Sequence, residues 1–138
     1  MRRIASLLAL VALTACSTDI DESTRPDNIA GTYHLASLGG TPLPVPTMID
    51  STSFQLVSGE LVMTANGMWT EELALTTLSP TGVKQAGSSS GAGTWVILRN
   101  QAYIAFTDRL NSYSFSGVGS GNQIVLETTA GQRMVYRR

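Results

Sequence analysis

Glu60-Leu61-Val62-Met63-Thr64-Ala65-Asn66-Gly67-Met68-Trp69-Thr70-Glu71-Glu72-Leu73-Ala74-Leu75 decides the fold of this chain. Leu61 and Met63 fall on one face before the turn, and Trp69, Leu73 and Leu75 share a face after it, which is the period of two of half-buried strands. Between them Asn66-Gly67 signals a tight hairpin, because both central residues of a two-residue turn need positive φ. The pattern predicts two antiparallel strands, at residues 60–64 and 68–78.

The same period continues on both sides. Toward the N-terminus, residues 53–57 place Phe54 and Leu56 together until Ser58-Gly59 interrupts, and residues 31–38 align Tyr33 with Leu35. Thr41-Pro42-Leu43-Pro44-Val45-Pro46 lies between these two segments and cannot be a central strand, because three prolines remove ladder donors. Toward the C-terminus, residues 79–91 read as a long Gly/Ser-rich connection around Ser88-Ser89-Ser90, and a loop of that length is mobile or functional. Further short strands carry Trp95 and Ile97, Ile104 and Phe106, Tyr113 and Phe115, Ile124 and Leu126, and Met134 and Tyr136. No helical period appears beyond the N-terminal segment. The chain therefore reads as all-β, an antiparallel up-and-down meander of eight or nine strands that hides its edges by closing into a barrel of about eight.

Composition narrows the classes of function. The 138 residues suit one domain, charged residues are 14%, and the formal net charge is -1. A nucleic-acid-binding polycation and an acidic disordered chain are both excluded by that balance. The first residues follow another logic. Met1-Arg2-Arg3 is a basic start, residues 4–13 are apolar, and the run is too short for a membrane-spanning helix, which is the layout of an export signal. Cys16 is the sole cysteine, so no disulfide forms within the chain. Residues 17–28 are polar with Pro26 and read as a solvated tether. Asp19, Asp21, Glu22 and Asp27 lack the glycine turn and terminal glutamate of a calcium loop. Three regions result: a signal at 1–15, Cys16 with a linker at 16–28, and a domain at 29–138.

Leu13-Thr14-Ala15-Cys16 resembles the lipobox of bacterial lipoproteins. The resemblance implies cleavage between Ala15 and Cys16, a diacylglyceryl thioether on the Cys16 sulfur, and acylation of the new Cys16 amine by a palmitate-like chain. Three acyl chains hold a protein far more firmly than the single chain that gives marginal binding. Ser17, which is not Asp, implies sorting to the outer membrane. Loss of Arg2 and Arg3 with the signal takes the formal charge from -1 to -3, so lipid and not a basic patch would supply the attachment.

Within the domain, Gly31-Thr32-Tyr33, Leu38-Gly39-Gly40-Thr41-Pro42-Leu43-Pro44, Ala65-Asn66-Gly67-Met68-Trp69, Gly93-Thr94-Trp95 and Met134-Val135-Tyr136-Arg137-Arg138 resemble small bacterial lipoproteins with lipocalin-like domains. Tyr33 stands where the lipocalin Gly-x-Trp motif has tryptophan. The resemblance implies a lipocalin-like barrel in the cell envelope.

No arrangement of residues predicts catalysis. His34 is the only histidine and no nucleophile elbow accompanies it. Zinc needs three or four ligands, and the one cysteine is assigned to lipid. Glu71 and Glu72 are adjacent in a strand and point to opposite faces, so they form no working pair, although Glu71 shares the face of Trp69 and Leu73. The reading is non-enzymatic, with no cofactor and no metal. Tyr33, Phe54, Trp69, Trp95, Phe106, Tyr113 and Phe115 either fill the barrel core or line a pocket for a small hydrophobic ligand. The alternative is an interaction or inhibitor module with a filled core, which docks an envelope protein through a loop or strand edge.

Overall fold

The computed structural model describes residues 26–49, 52–78, 81–98, 103–120 and 122–138. The expected signal, Ala15, Cys16 and most of the linker lie outside the described residues. One helical turn, α1 (Pro26–Ile29), precedes ten strands: β1 (Gly31–Leu38), β2 (Thr41–Pro42), β3 (Val45–Ile49), β4 (Thr52–Met63), β5 (Met68–Leu78), β6 (Lys84–Ile97), β7 (Tyr103–Asp108), β8 (Ser114–Ser120), β9 (Gln123–Glu127) and β10 (Arg133–Arg137). From β4 to β10 each strand pairs antiparallel with its sequence neighbour, and β1 pairs with both β10 and β4. Eight strands thus close an up-and-down, lipocalin-like barrel with two short additions.

The additions sit at the closing seam. β1 meets β4 only from Gly31↔Met63 to His34↔Glu60. Beyond that point the two diverge, and β2 covers Ser37–Leu38 while β3 covers the start of β4. Here the proline run finds its place, because Pro42 and Pro46 occupy edge strands where a missing N–H costs no central ladder bond.

Three sequence expectations change. The break at Ser58-Gly59 does not end a strand; β4 runs through it with a register shift between Leu56 and Ser58. The extra residue, Val57, is exposed, and it lets both Leu56 and Leu61 face inward despite their odd spacing. A matching shift between Leu35 and Ser37 in β1 keeps Leu35 and Leu38 inside. The second change concerns residues 79–91. β6 starts at Lys84 and pairs with β5 without interruption from Leu78↔Lys84 to Met68↔Thr94. The connection shrinks to residues 79–83. Residues 84–90 are exposed on both faces, so backbone pairing holds the strand with no apolar alternation for a sequence reading to detect.

The first hairpin is also one residue longer than predicted. Only Gly67 has positive φ, at 82°, and the Gly67 N–H donates to the Thr64 carbonyl at 3.0 Å. Ala65, Asn66 and Gly67 form a three-residue loop with glycine in the left-handed position. The same device recurs between β9 and β10, where the Gly131 N–H donates to the Thr128 carbonyl at 2.9 Å. In both loops the leading threonine hydroxyl accepts the N–H that follows the glycine, from Met68 at 3.2 Å and from Gln132 at 3.0 Å.

The core is layered around Trp69. Phe106 and Phe115 stack with centroids 4.9 Å apart, and both meet the Trp69 ring in T-shaped contacts at 5.9 and 5.5 Å. The Trp69 indole N–H donates to the Thr94 carbonyl at 3.1 Å, and that of Trp95 to the Met68 carbonyl at 3.0 Å. Gly91 and Gly93 leave room for the indole, and a Cβ at Gly93 would also overlap the Thr107 backbone across the ladder.

At one end the barrel is plugged. Ile29 is buried there, the Tyr33 hydroxyl donates to its carbonyl at 2.6 Å, and the Arg138 guanidinium lies 5.0 Å over the Tyr33 ring while donating to the Ala30 carbonyl. Both the described N-terminus and the C-terminus lie at this end, as do the loops after β4, β6 and β8. The opposite end carries the long β5–β6 hairpin, the loop from β7 to β8, and the Thr128–Gln132 turn. Gly93→Ala should lower stability by about 1–3 kcal/mol, the usual cost of overpacking, and show it as a lower urea unfolding midpoint. Gly87→Ala, whose Cβ would meet nothing within 4 Å, should leave it nearly unchanged. Equal midpoints for the two variants would overturn the packing account.

Candidate functional site

The open end is a mouth with two adjoining lobes. The first, of about 190 Å³, is lined by Leu38, Leu56, Leu73, Leu75 and Met134, with Thr47 and the residues of the β9–β10 turn at its rim. The second, of about 210 Å³, is lined by Glu71, Ser89, Tyr113, Phe115 and Leu126, and shares Leu73, Met134, Thr128 and Thr129 with the first. The geometry follows from unequal strand lengths. β4, β5 and β6 outrun β7 to β10, so their inward leucines extend past the level at which the opposite wall turns back. An engineered cavity of about 150 Å³ takes a benzene, so each lobe is sized for one ring or a short alkyl chain.

Glu71 forms the polar floor. It faces inward from β5, opposite Leu61 on β4 and Gly91 on β6, and accepts a hydrogen bond from the Tyr136 hydroxyl of β10. Burial pushes its carboxyl above the ordinary 4.5; the Tyr136 bond opposes this, and the Asp108 charge adds to it. Tyr136, fully buried, is raised well above the ordinary tyrosine range by burial, by the Glu71 charge and by the bond to it.

Asp108 ends β7 and organises the loop above. One oxygen accepts the Leu110 and Asn111 N–H groups at 2.7 and 2.9 Å, and the other accepts the Asn111 amide at 3.0 Å. Burial alone would raise this carboxyl, but the Asn111 and Leu110 bonds, with one from Tyr113, outweigh it and hold it below 3.8. The turn continues through Ser112 at a φ of 56° to Tyr113, whose ring lies 5.6 Å from Phe115. Burial, the charges of Asp108 and Glu71, and its bond to Asp108 all raise the Tyr113 hydroxyl.

The residues singled out by sequence separate into three groups. Tyr33, Trp69, Trp95 and Phe106 are buried in the core, and Phe54 is half-buried against it. Phe115 joins core and mouth, while Tyr113, 45% exposed, belongs to the mouth alone. His34 sits on the outer face, 3.8 Å from Glu60. Glu72 is exposed, on the face opposite Glu71. Among the described residues no three His, Cys, Asp or Glu side chains gather as a metal would require. Sequence reasoning missed Asp108, whose signal is an aspartate at a strand end three residues before Asn111, the spacing of a side-chain-capped turn. It placed Tyr136 on a strand face without linking it to Glu71.

No family model, curated protein or solved structure matches this chain.

The Glu71 proton is held more tightly in the folded state than in the unfolded chain. Its contribution to stability is therefore complete below the unfolded value near 4.5 and is lost as pH rises through the folded value. Urea unfolding of Glu71→Gln should accordingly gain on the wild type as pH rises from 4.5, with the difference levelling once wild-type Glu71 is ionised. Parallel stability profiles for the two proteins would overturn the assignment.

Proposed function

We propose that this chain is a lipid-anchored protein of the bacterial outer membrane whose barrel mouth receives a small hydrophobic ligand without chemical turnover. The anchoring half rests on the lipobox resemblance of Leu13–Cys16. The binding half rests on one observation: Leu38, Leu56, Leu73, Leu75 and Met134 converge on an uncovered lobe while the barrel beneath is packed with side chains. Apolar side chains that line a concavity gain about 25 cal/mol for each square ångström an apolar guest removes from water. The packed layer around Trp69 stops a guest from passing deeper, so the ligand is small and sits near the rim.

A second reading has its own observation. β7 pairs only with Gly93–Ile97 of β6, and among the described residues Lys84–Gly91 has β5 as its sole partner. The Ala92 carbonyl accepts from Arg109, so Ala92 faces away from β5, and strand alternation turns the N–H and C=O of Ser90, Ser88, Ala86 and Lys84 the same way. This open, nearly uncharged edge suits strand addition by an extended segment of an envelope protein.

Cys16→Ala should move the protein from the membrane fraction to a soluble or unprocessed form; retention equal to that of the parent would overturn the anchor. Native mass spectrometry of that variant, purified gently from a bacterial periplasm, should show an excess mass that disappears on denaturation. A bare protein mass would overturn the ligand reading and favour the strand edge.

A further inference from the structure

The mouth holds a carboxylate that its surroundings do not balance. Among the described residues Glu71 has one hydroxyl donor, from Tyr136, on one oxygen, whereas an ionised carboxylate offers about four acceptor positions. None of the described residues lining its lobe is Lys, Arg or His, and the charges described beside it are the carboxylates of Asp108 and Glu127. Arg109 and Arg133, the nearest arginines in sequence to the loop and the turn, are both exposed and line neither lobe. An anionic guest would meet repulsion here, and a neutral one would leave the carboxylate uncompensated.

We propose, building on the reading of the mouth as a ligand site, that its ligand is a small amphiphilic amine: the ammonium group lies against Glu71 beside Tyr113 and Phe115, and the apolar part lies across Leu73 and Met134 against Leu56 and Leu75. The shape of the mouth fits this division. The lobe with the carboxylate also carries the aromatic rings, whose faces attract a cation. The adjoining lobe is lined by leucines, and Leu73 and Met134 form the shared wall, so one short molecule spans both without a polar group entering the apolar side. The Tyr136 hydroxyl occupies one Glu71 oxygen and fixes the carboxylate's orientation, which leaves the other free for a charge-assisted bond.

The test is a matched series on the Cys16→Ala chain: hexylammonium, hexanol and hexanoate, titrated calorimetrically at neutral pH. Hexylammonium should bind about tenfold or more tightly than hexanol, as a charge-assisted bond requires, and hexanoate should bind weakest. Glu71→Gln should bring hexylammonium down to the level of hexanol. Equal affinity of the parent for hexylammonium and hexanol would overturn the amine assignment while the apolar mouth stands. Failure of all three to bind would overturn the mouth itself.

Discussion

The seating of Trp69 over Gly91 and Gly93 is the contact on which the rest of the barrel depends. Trp69 fits inside this small barrel because the neighbouring strand gives up side chains beside it: Gly93 of β6 pairs directly with Trp69, and Gly91 sits two positions along. The same absence of Cβ atoms lets the β7 backbone approach at Thr107. Phe106 and Phe115 then pack against the indole in T-shaped contacts. With the middle of the barrel filled in this way, any space must lie above or below that layer. Ile29 and Tyr33 occupy the space below, which leaves the mouth above.

The mouth exists because one wall is taller than the other. Ordinary barrels of even strand length bring both rims to the same height and meet solvent as a ring of turns. Here the β4–β5–β6 wall continues past Asp108, and its inner face would be a loose hydrophobic surface without the Thr128–Gln132 turn and the Asp108-capped loop leaning toward it. Asp108 thus has a structural part in the site: its bonds to Leu110 and Asn111 hold the loop that brings Tyr113 beside Phe115.

Much of this fold was legible in the residues. The period of two and the regular turns lead to an antiparallel meander, and the prolines lead to the seam, because local backbone rules operate there without help from distant contacts. The reading failed where pairing replaced side-chain burial. Lys84–Ser90 carries no apolar alternation, yet it is strand throughout because β5 pairs with it along one edge. It also failed at bulges: Val57 shifts the parity of β4, and a period-two rule must read that shift as a break. Within the site, Glu71 could be assigned an inward face from its spacing to Trp69 and Leu73. Its pairing with Tyr136 spans 65 residues and arises only from barrel closure, so no local pattern contains it.

The plug gives the molecule a direction. The described chain enters at the closed end, beneath Ile29, and the mouth opens at the far end of the strands. Under the proposed attachment through the N-terminal segment, the closed end would lie nearer the anchor and the mouth farther from it. A guest would then arrive through water, and solubility as well as shape would select it: molecules that partition wholly into lipid would seldom reach the rim.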